Sequence, residues 1–103
     1  MPILEHALLP VRAGSEAAFE AALAEARPLI AASPGFISMA VRRPVGSGGS
    51  YLLLVEWDSV ADHRDGFRQS DRYLRWRELL HPFYEPMPEV SYFCELLVLH
   101  RSD

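Results

Sequence analysis

The residues able to do chemistry concentrate in the stretch DHRDGFRQS, Asp62 to Ser70, and in one carboxylate near the N-terminus. His63 and Phe67 are four residues apart, so on a helix they share a face. His63 is then either an ordinary half-buried histidine or an acid/base group facing a pocket. Glu5 stands at an odd position of an apolar run, in phase with Ile3, Ala7 and Leu9. If that phase faces the helices, Glu5 and His63 can lie opposite each other, and a carboxylate that orients and charges an imidazole makes an acid/base pair. The same residues also read as a structural Glu–His hydrogen bond, or as making no contact at all. Phe67, Tyr73, Trp76 and Phe83 can line a slot for a flat aromatic ligand, although each taken singly reads as plain core. Arg68 offers a planar fork for a ligand carboxylate or phenolate. Asp65 and Asp71 compete for it as surface ion-pair partners, the commoner arrangement.

Other chemistries lack their residues. His6, His63, His81 and His100 show no HxxH or HxxxH spacing, and one cysteine supplies no thiolate cluster, so no metal site is expected. GSGGS joins two strand-like runs and opens no helix, which removes a phosphate loop, and there is no Gly-x-Ser-x-Gly elbow. The net charge of −4, with ten dispersed arginines and no lysine, argues against nucleic acid. No apolar run reaches the ~20 residues of a membrane span, and MPILEHALLP has no basic leader of a signal peptide. The single Cys94 fits a reducing cytoplasm and, within SYFCELLVL, reads as core or interface.

The elements that must position these groups follow from periodicity. At 103 residues the chain is expected to form one domain spanning residues 1–103. Ile3–Val11 is a first strand, apolar on both faces, with Pro10 marking an edge or an end. Ser15 is the N-cap candidate of a helix whose buried stripe is Phe19, Leu23, Ala26 and Ile30. Pro28 should kink it or loosen its last turn, and Ser33–Gly35 stops it. Phe36–Val45 and Tyr51–Trp57 form a hairpin around the loose GSGGS loop. A helix follows, capped by Asp58 or Ser59 and weakened by Gly66, with Val60, His63, Arg64 and Phe67 on one side, His63 facing inward and Arg64 and Arg68 nearer the rim. Another starts at Ser70 or Asp71 with Tyr73, Trp76, Leu79 and Leu80 as its apolar side. HPFYEPMPE is an irregular proline-rich loop, and Val90–His100 is the last strand. This order is the split βαβ pattern of a ferredoxin-like α+β domain, an antiparallel sheet with helices on one face. The other sheet face is apolar with nothing left in the chain to cover it, which predicts a homodimer.

The segments FEAALAEARPLIAASPGF and LLLVEWDSVADHRDGFRQSDRYLRW, and the tail HPFYEPMPEV, resemble the antibiotic biosynthesis monooxygenase family, small dimeric α+β-barrel proteins. The resemblance covers nearly the full length. It implies a cofactor-independent oxygenase in which a phenolic or quinol substrate is deprotonated and its carbanion passes an electron directly to O₂. His63 would be the base and Trp76 and Phe67 the walls. Members that cleave haem need an asparagine on the first strand and a helix histidine. This chain has Ala7 and Trp76–Arg77 at those places, which disfavours haem degradation. The resulting expectation is a cytoplasmic homodimer whose sheets pack into a barrel, a monooxygenase of a small aromatic or quinol-type compound using O₂ without metal or flavin. The alternatives are a non-catalytic small-molecule-binding or stress-response dimer, and an isomerase or cyclase of a polyketide-like intermediate.

Overall fold

A computed structural model describes residues 2–46 and 48–102; Met1, Asp103 and Ser47, the last within the expected hairpin loop, lie outside the described residues. The strands are β1 (Ile3–Leu9), β2 (Phe36–Arg42), β3 (Tyr51–Trp57) and β4 (Ser91–Phe93). The helices are α1 (Glu16–Ala31) and α2 (Asp71–Leu80), with a π-helix at Asp62–Phe67 and a 3₁₀ turn at His81–Phe83. The sheet runs in the order β2-β3-β1-β4, every pairing antiparallel, which is the ferredoxin-like α+β arrangement.

Register decides what the helices meet. Ile3, Glu5, Ala7 and Leu9 of β1 pair with Trp57, Val55, Leu53 and Tyr51 of β3. Because a strand's side chains alternate, these residues share the face covered by α1 and α2. All but Ile3 are buried, while Leu4, His6, Leu52 and Leu54 on the opposite face are half-buried and Leu8 is exposed. Phe19, Ala26 and Ile30 of α1 and Trp76 and Leu80 of α2 close the core from above.

Local chemistry sets the helix ends. Ser15 stands at the α1 N-cap without a side-chain cap bond, and instead the Glu16 carboxylate accepts from the Gly14 N–H at 2.8 Å. α1 continues through Pro28 to Ala31 and closes with Ala32 N–H donating to the Pro28 carbonyl. Ser70 caps α2 by accepting from Tyr73 N–H at 3.3 Å. Gly35, between α1 and β2, has φ of +82°, and a side chain there would run into that of Asp62. Gly35→Ala is therefore expected to lower stability by about 1–3 kcal/mol, read as a drop in the denaturant midpoint at unchanged slope.

Two expected strands are shorter than the apolar runs suggest. β1 ends at Leu9 because Pro10 has no N–H, although Val11 makes an isolated bridge to Tyr84. β2 ends at Arg42, ahead of Pro44. The larger correction is β4, which covers Ser91–Phe93 rather than Val90–His100. It pairs with β1 as Leu4↔Phe93, Glu5↔Tyr92 and His6↔Ser91. One residue on, Cys94 would face Ile3, where β1 begins, and Glu95 would face Pro2, which has no N–H. Among the described residues, the rest of the apolar run has no strand to pair with. Leu96, Leu97, Val98 and Leu99 stand exposed, and so does Cys94, which is not core.

Candidate active site

The helix expected over DSVADHRDGFRQS is built differently. Ser59 accepts from Asp62 N–H at 3.2 Å to start it, and Arg68 N–H then donates to the His63 carbonyl at 3.0 Å, an i→i+5 bond. The wider π-turn, a feature frequent at functional sites, sends both His63 and Phe67 inward, each at most 4% exposed. Their rings lie 6.3 Å apart, and Phe67 also meets Trp76 at 5.6 Å and Tyr73 at 5.5 Å.

Glu5 and His63 do come together. His63 Nε2 is 3.4 Å from Glu5 Oε1, and both side chains are about 5% exposed. Trp57 Nε1–H donates to the same Oε1 at 2.9 Å, and His63 Nδ1 is 2.6 Å from the Tyr92 hydroxyl. The strands explain this convergence. Tyr92 is the β4 partner of Glu5, and Trp57 lies two residues beyond its β3 partner on the same face. Each nitrogen of the imidazole therefore has a partner.

The electrostatics separate the two groups. Burial pushes the Glu5 carboxyl up to about 7, against the Trp57 N–H and the Arg68 guanidinium, which both favour the ionised form. Burial and Arg68 push His63 down to about 4. At neutral pH the imidazole is uncharged and Glu5 is partly ionised, so their 3.4 Å approach is a polar contact and not an ion pair.

Beside this pair lies a cavity of about 200 Å³. Glu5 and His63 line it together with Phe67, Arg68, Tyr73 and Trp76, and His81, Tyr84 and the loop residues Met87, Pro88 and Val90 complete the wall. Arg68 does not take the expected partners. Asp65 pairs with Arg64 at 3.1 Å, and among the described residues no ion pair holds Arg68. Its guanidinium sits 5.8 Å from the Tyr73 ring centroid, where the fork remains open to a ligand. Phe83 is a correction. It packs against Phe19 at 5.9 Å and does not line the cavity, because residues three apart eclipse in a 3₁₀ turn and His81 and Tyr84 take the inward face.

Reasoning from the sequence missed Trp57, Tyr92, His81 and Tyr84. Trp57 carried a usable signal, its phase with Tyr51, Leu53 and Val55. Tyr92 carried none, since only the β1–β4 register brings it to His63.

Residues 2–79 match the model of the antibiotic biosynthesis monooxygenase family, and the chain belongs to that family. The Bacillus subtilis (strain 168) protein YczJ, itself uncharacterized, is 41% identical over 94 residues, 91% of this chain and 99% of that protein. A Bordetella bronchiseptica protein assigned to the antibiotic biosynthesis monooxygenases superposes with a TM-score of 0.88 at 35% identity, over 93% of this chain and 98% of that one. SnoaB, a cofactor-independent oxygenase from Streptomyces nogalater, superposes with a TM-score of 0.82 at 20% identity, over 95% and 96% of the two chains, a likeness of fold. No helix among the described residues is long and apolar enough to cross a membrane.

Proposed function

We propose that this chain is a monooxygenase that acts without metal or flavin on a small aromatic, phenol- or quinol-type compound. The observation that carries the reading is the aromatic-walled cavity with a buried Glu5–His63 pair in its lining. Its volume of about 200 Å³ suits a single-ring compound, since a cavity of about 150 Å³ accepts benzene. The pair takes a proton from the substrate hydroxyl, the electron-rich anion passes an electron to O₂, the two radicals join as a peroxide on a ring carbon, and loss of water from it leaves one oxygen atom on that carbon as a carbonyl. Phe67, Tyr73 and Trp76 stack against the ring and keep water out. Arg68 at the wall attracts a phenolate or carboxylate substituent. Family membership and the likeness to SnoaB support the absence of a cofactor.

The working unit is a homodimer of single-domain, cytoplasmic subunits. The exposed tail Leu96–Leu99, with Leu8 and Phe93 on the uncovered sheet face, supports the dimer. Replacing both Leu97 and Leu99 with aspartate removes about 1.5–3 kcal/mol of burial per side chain. Sedimentation should then show a dimer weakened by about 100-fold or more.

Oxygen uptake with a panel of single-ring hydroquinones tests the activity. Uptake above the autoxidation rate supports the oxygenase. Turnover that persists without oxygen would instead identify an isomerase or cyclase. A ligand that raises the melting temperature with no turnover would identify a binding protein.

A further inference from the structure

We propose that Glu5, not His63, takes the substrate proton, through Oε2, and that His63 is a positioning residue which, with Trp57, holds the carboxylate. The proposal rests on the oxygenase reading and assigns the roles within its site.

The geometry of the imidazole carries it. A neutral imidazole has one N–H and one lone pair. Nε2 faces Glu5 Oε1 at 3.4 Å, and Nδ1 faces the Tyr92 hydroxyl at 2.6 Å. With the proton on Nε2, that N–H points toward Glu5 Oε1 and Tyr92 O–H donates to Nδ1. With the proton on Nδ1, it donates to the Tyr92 oxygen and the Nε2 lone pair faces Glu5 Oε1. In either tautomer Tyr92 occupies Nδ1, and Nε2 is directed at Glu5 Oε1 rather than at a ligand. Glu5 differs, because both Trp57 Nε1–H and His63 Nε2 fall on Oε1. Oε2 is then the oxygen available to the cavity that Glu5 lines.

The surroundings make the carboxylate a competent base. The groups that face it are Trp57 from β3, His63 and Arg68 from the π-helix and the residue after it, Tyr92 from β4 and Tyr84 from the loop. Arg68 is the one permanent cation among them. Burial against these groups brings Glu5 to about 7, the range in which a general base works near neutral pH. His63, held near 4, would give up any proton it accepted. In the transfer, the substrate O–H bond breaks, its electron pair stays on the substrate oxygen, and the proton bonds to Oε2.

The test is nuclear magnetic resonance on the wild-type protein with carboxyl-¹³C glutamate and ring-¹⁵N histidine. One glutamate carboxyl should titrate with a midpoint near pH 7 and vanish in Glu5→Gln. The His63 nitrogens should hold one neutral tautomer pattern down to about pH 5. A Glu5 carboxyl that ionises below about pH 5, with His63 gaining a proton between about pH 6 and 7, would overturn the assignment. In turnover with hydroquinone, Glu5→Gln should lose about 100-fold or more, whereas His63→Gln and Tyr92→Phe should lose less than about 10-fold and shift the alkaline-rising limb of the pH profile. An equal loss in His63→Gln and Glu5→Gln would also overturn it. If no quinol drives oxygen uptake, the oxygenase reading fails while the titration still decides which group holds the proton, so the two fail separately.

Discussion

Replacing His63 with glutamine is expected to make stability fall by about 3 kcal/mol as pH rises from about 4.5 to about 7, a slope the wild-type pair does not show. The unfolded chain ionises Glu5 near 4.5, whereas the folded chain keeps its proton until about 7. Between those values the native state binds more protons, so stability falls as pH rises. His63 acts in the opposite sense. Unfolded, it holds its proton up to about 6.5; folded, it has lost it above about 4, so its contribution to stability rises with pH across that window. In the wild type the two slopes oppose each other, because from about 4.5 to 6.5 both states carry one proton on the pair, on His63 when unfolded and on Glu5 when folded. His63→Gln exposes the descending slope and Glu5→Gln the ascending one. Other carboxylates, such as Glu20 held near 2 by Arg43 and Tyr51, add the same background to every variant and cancel in differences. Urea midpoints at a series of pH values measure all three proteins. Parallel curves for the wild type and both variants would show that the pair is not titrating as described.

Trp57→Ala should destabilise by about 3–5 kcal/mol, a large share of the roughly 5–15 kcal/mol that holds a domain of this size. Trp57 is fully buried and meets Phe36, His63 and Phe67, with ring centroids 5.4–5.9 Å apart. Its removal opens a cavity beneath the π-helix and orphans one donor contact of Glu5. Trp57→Phe separates these effects. It keeps most of the packing and loses the N–H, so its cost should be small where Glu5 is protonated. The cost should grow toward about 1.5–3 kcal/mol above pH 7, where the carboxylate loses a charge-assisted bond. Removing that donor also raises the Glu5 pKa further, and the rising limb of the pH–rate profile should move to higher pH. A Trp57→Phe penalty independent of pH would mean that Glu5 does not ionise in this range.

The alternation of Glu5, Ala7 and Leu9 against Tyr51, Leu53, Val55 and Trp57 was legible because period-2 burial follows directly from pleated geometry. So was the inward face of α1, where Phe19, Ala26 and Ile30 repeat at helical spacing. The meeting of Glu5 and His63 was legible only as one alternative, from the strand phase that turns Glu5 toward the helices and the four-residue spacing that puts His63 on a face with Phe67. The length of β4 was not legible. Apolarity reports what a segment can bury, while strand pairing needs a neighbouring backbone, and β1 runs out opposite Cys94. Tyr92 was hidden for the same reason. Phe83 and Tyr84 are adjacent aromatics, and only the 3₁₀ turn before them decides which one reaches the cavity. Arg68 was assigned to a surface pair by its sequence neighbours, but Arg64 already holds Asp65.

On the proposed function, a buried carboxylate in an aromatic-walled cavity drives direct reaction of a small aromatic compound with oxygen. The most direct measurement is oxygen consumption by wild type and Glu5→Gln with a single-ring hydroquinone, above the pH at which Glu5 ionises. The expected result is uptake by the wild type well above autoxidation, and a rate at least about 100-fold lower in the variant with its fold intact. Wild-type uptake no faster than autoxidation would rule out the oxygenase, and equal rates in the two proteins would rule out Glu5 as its base.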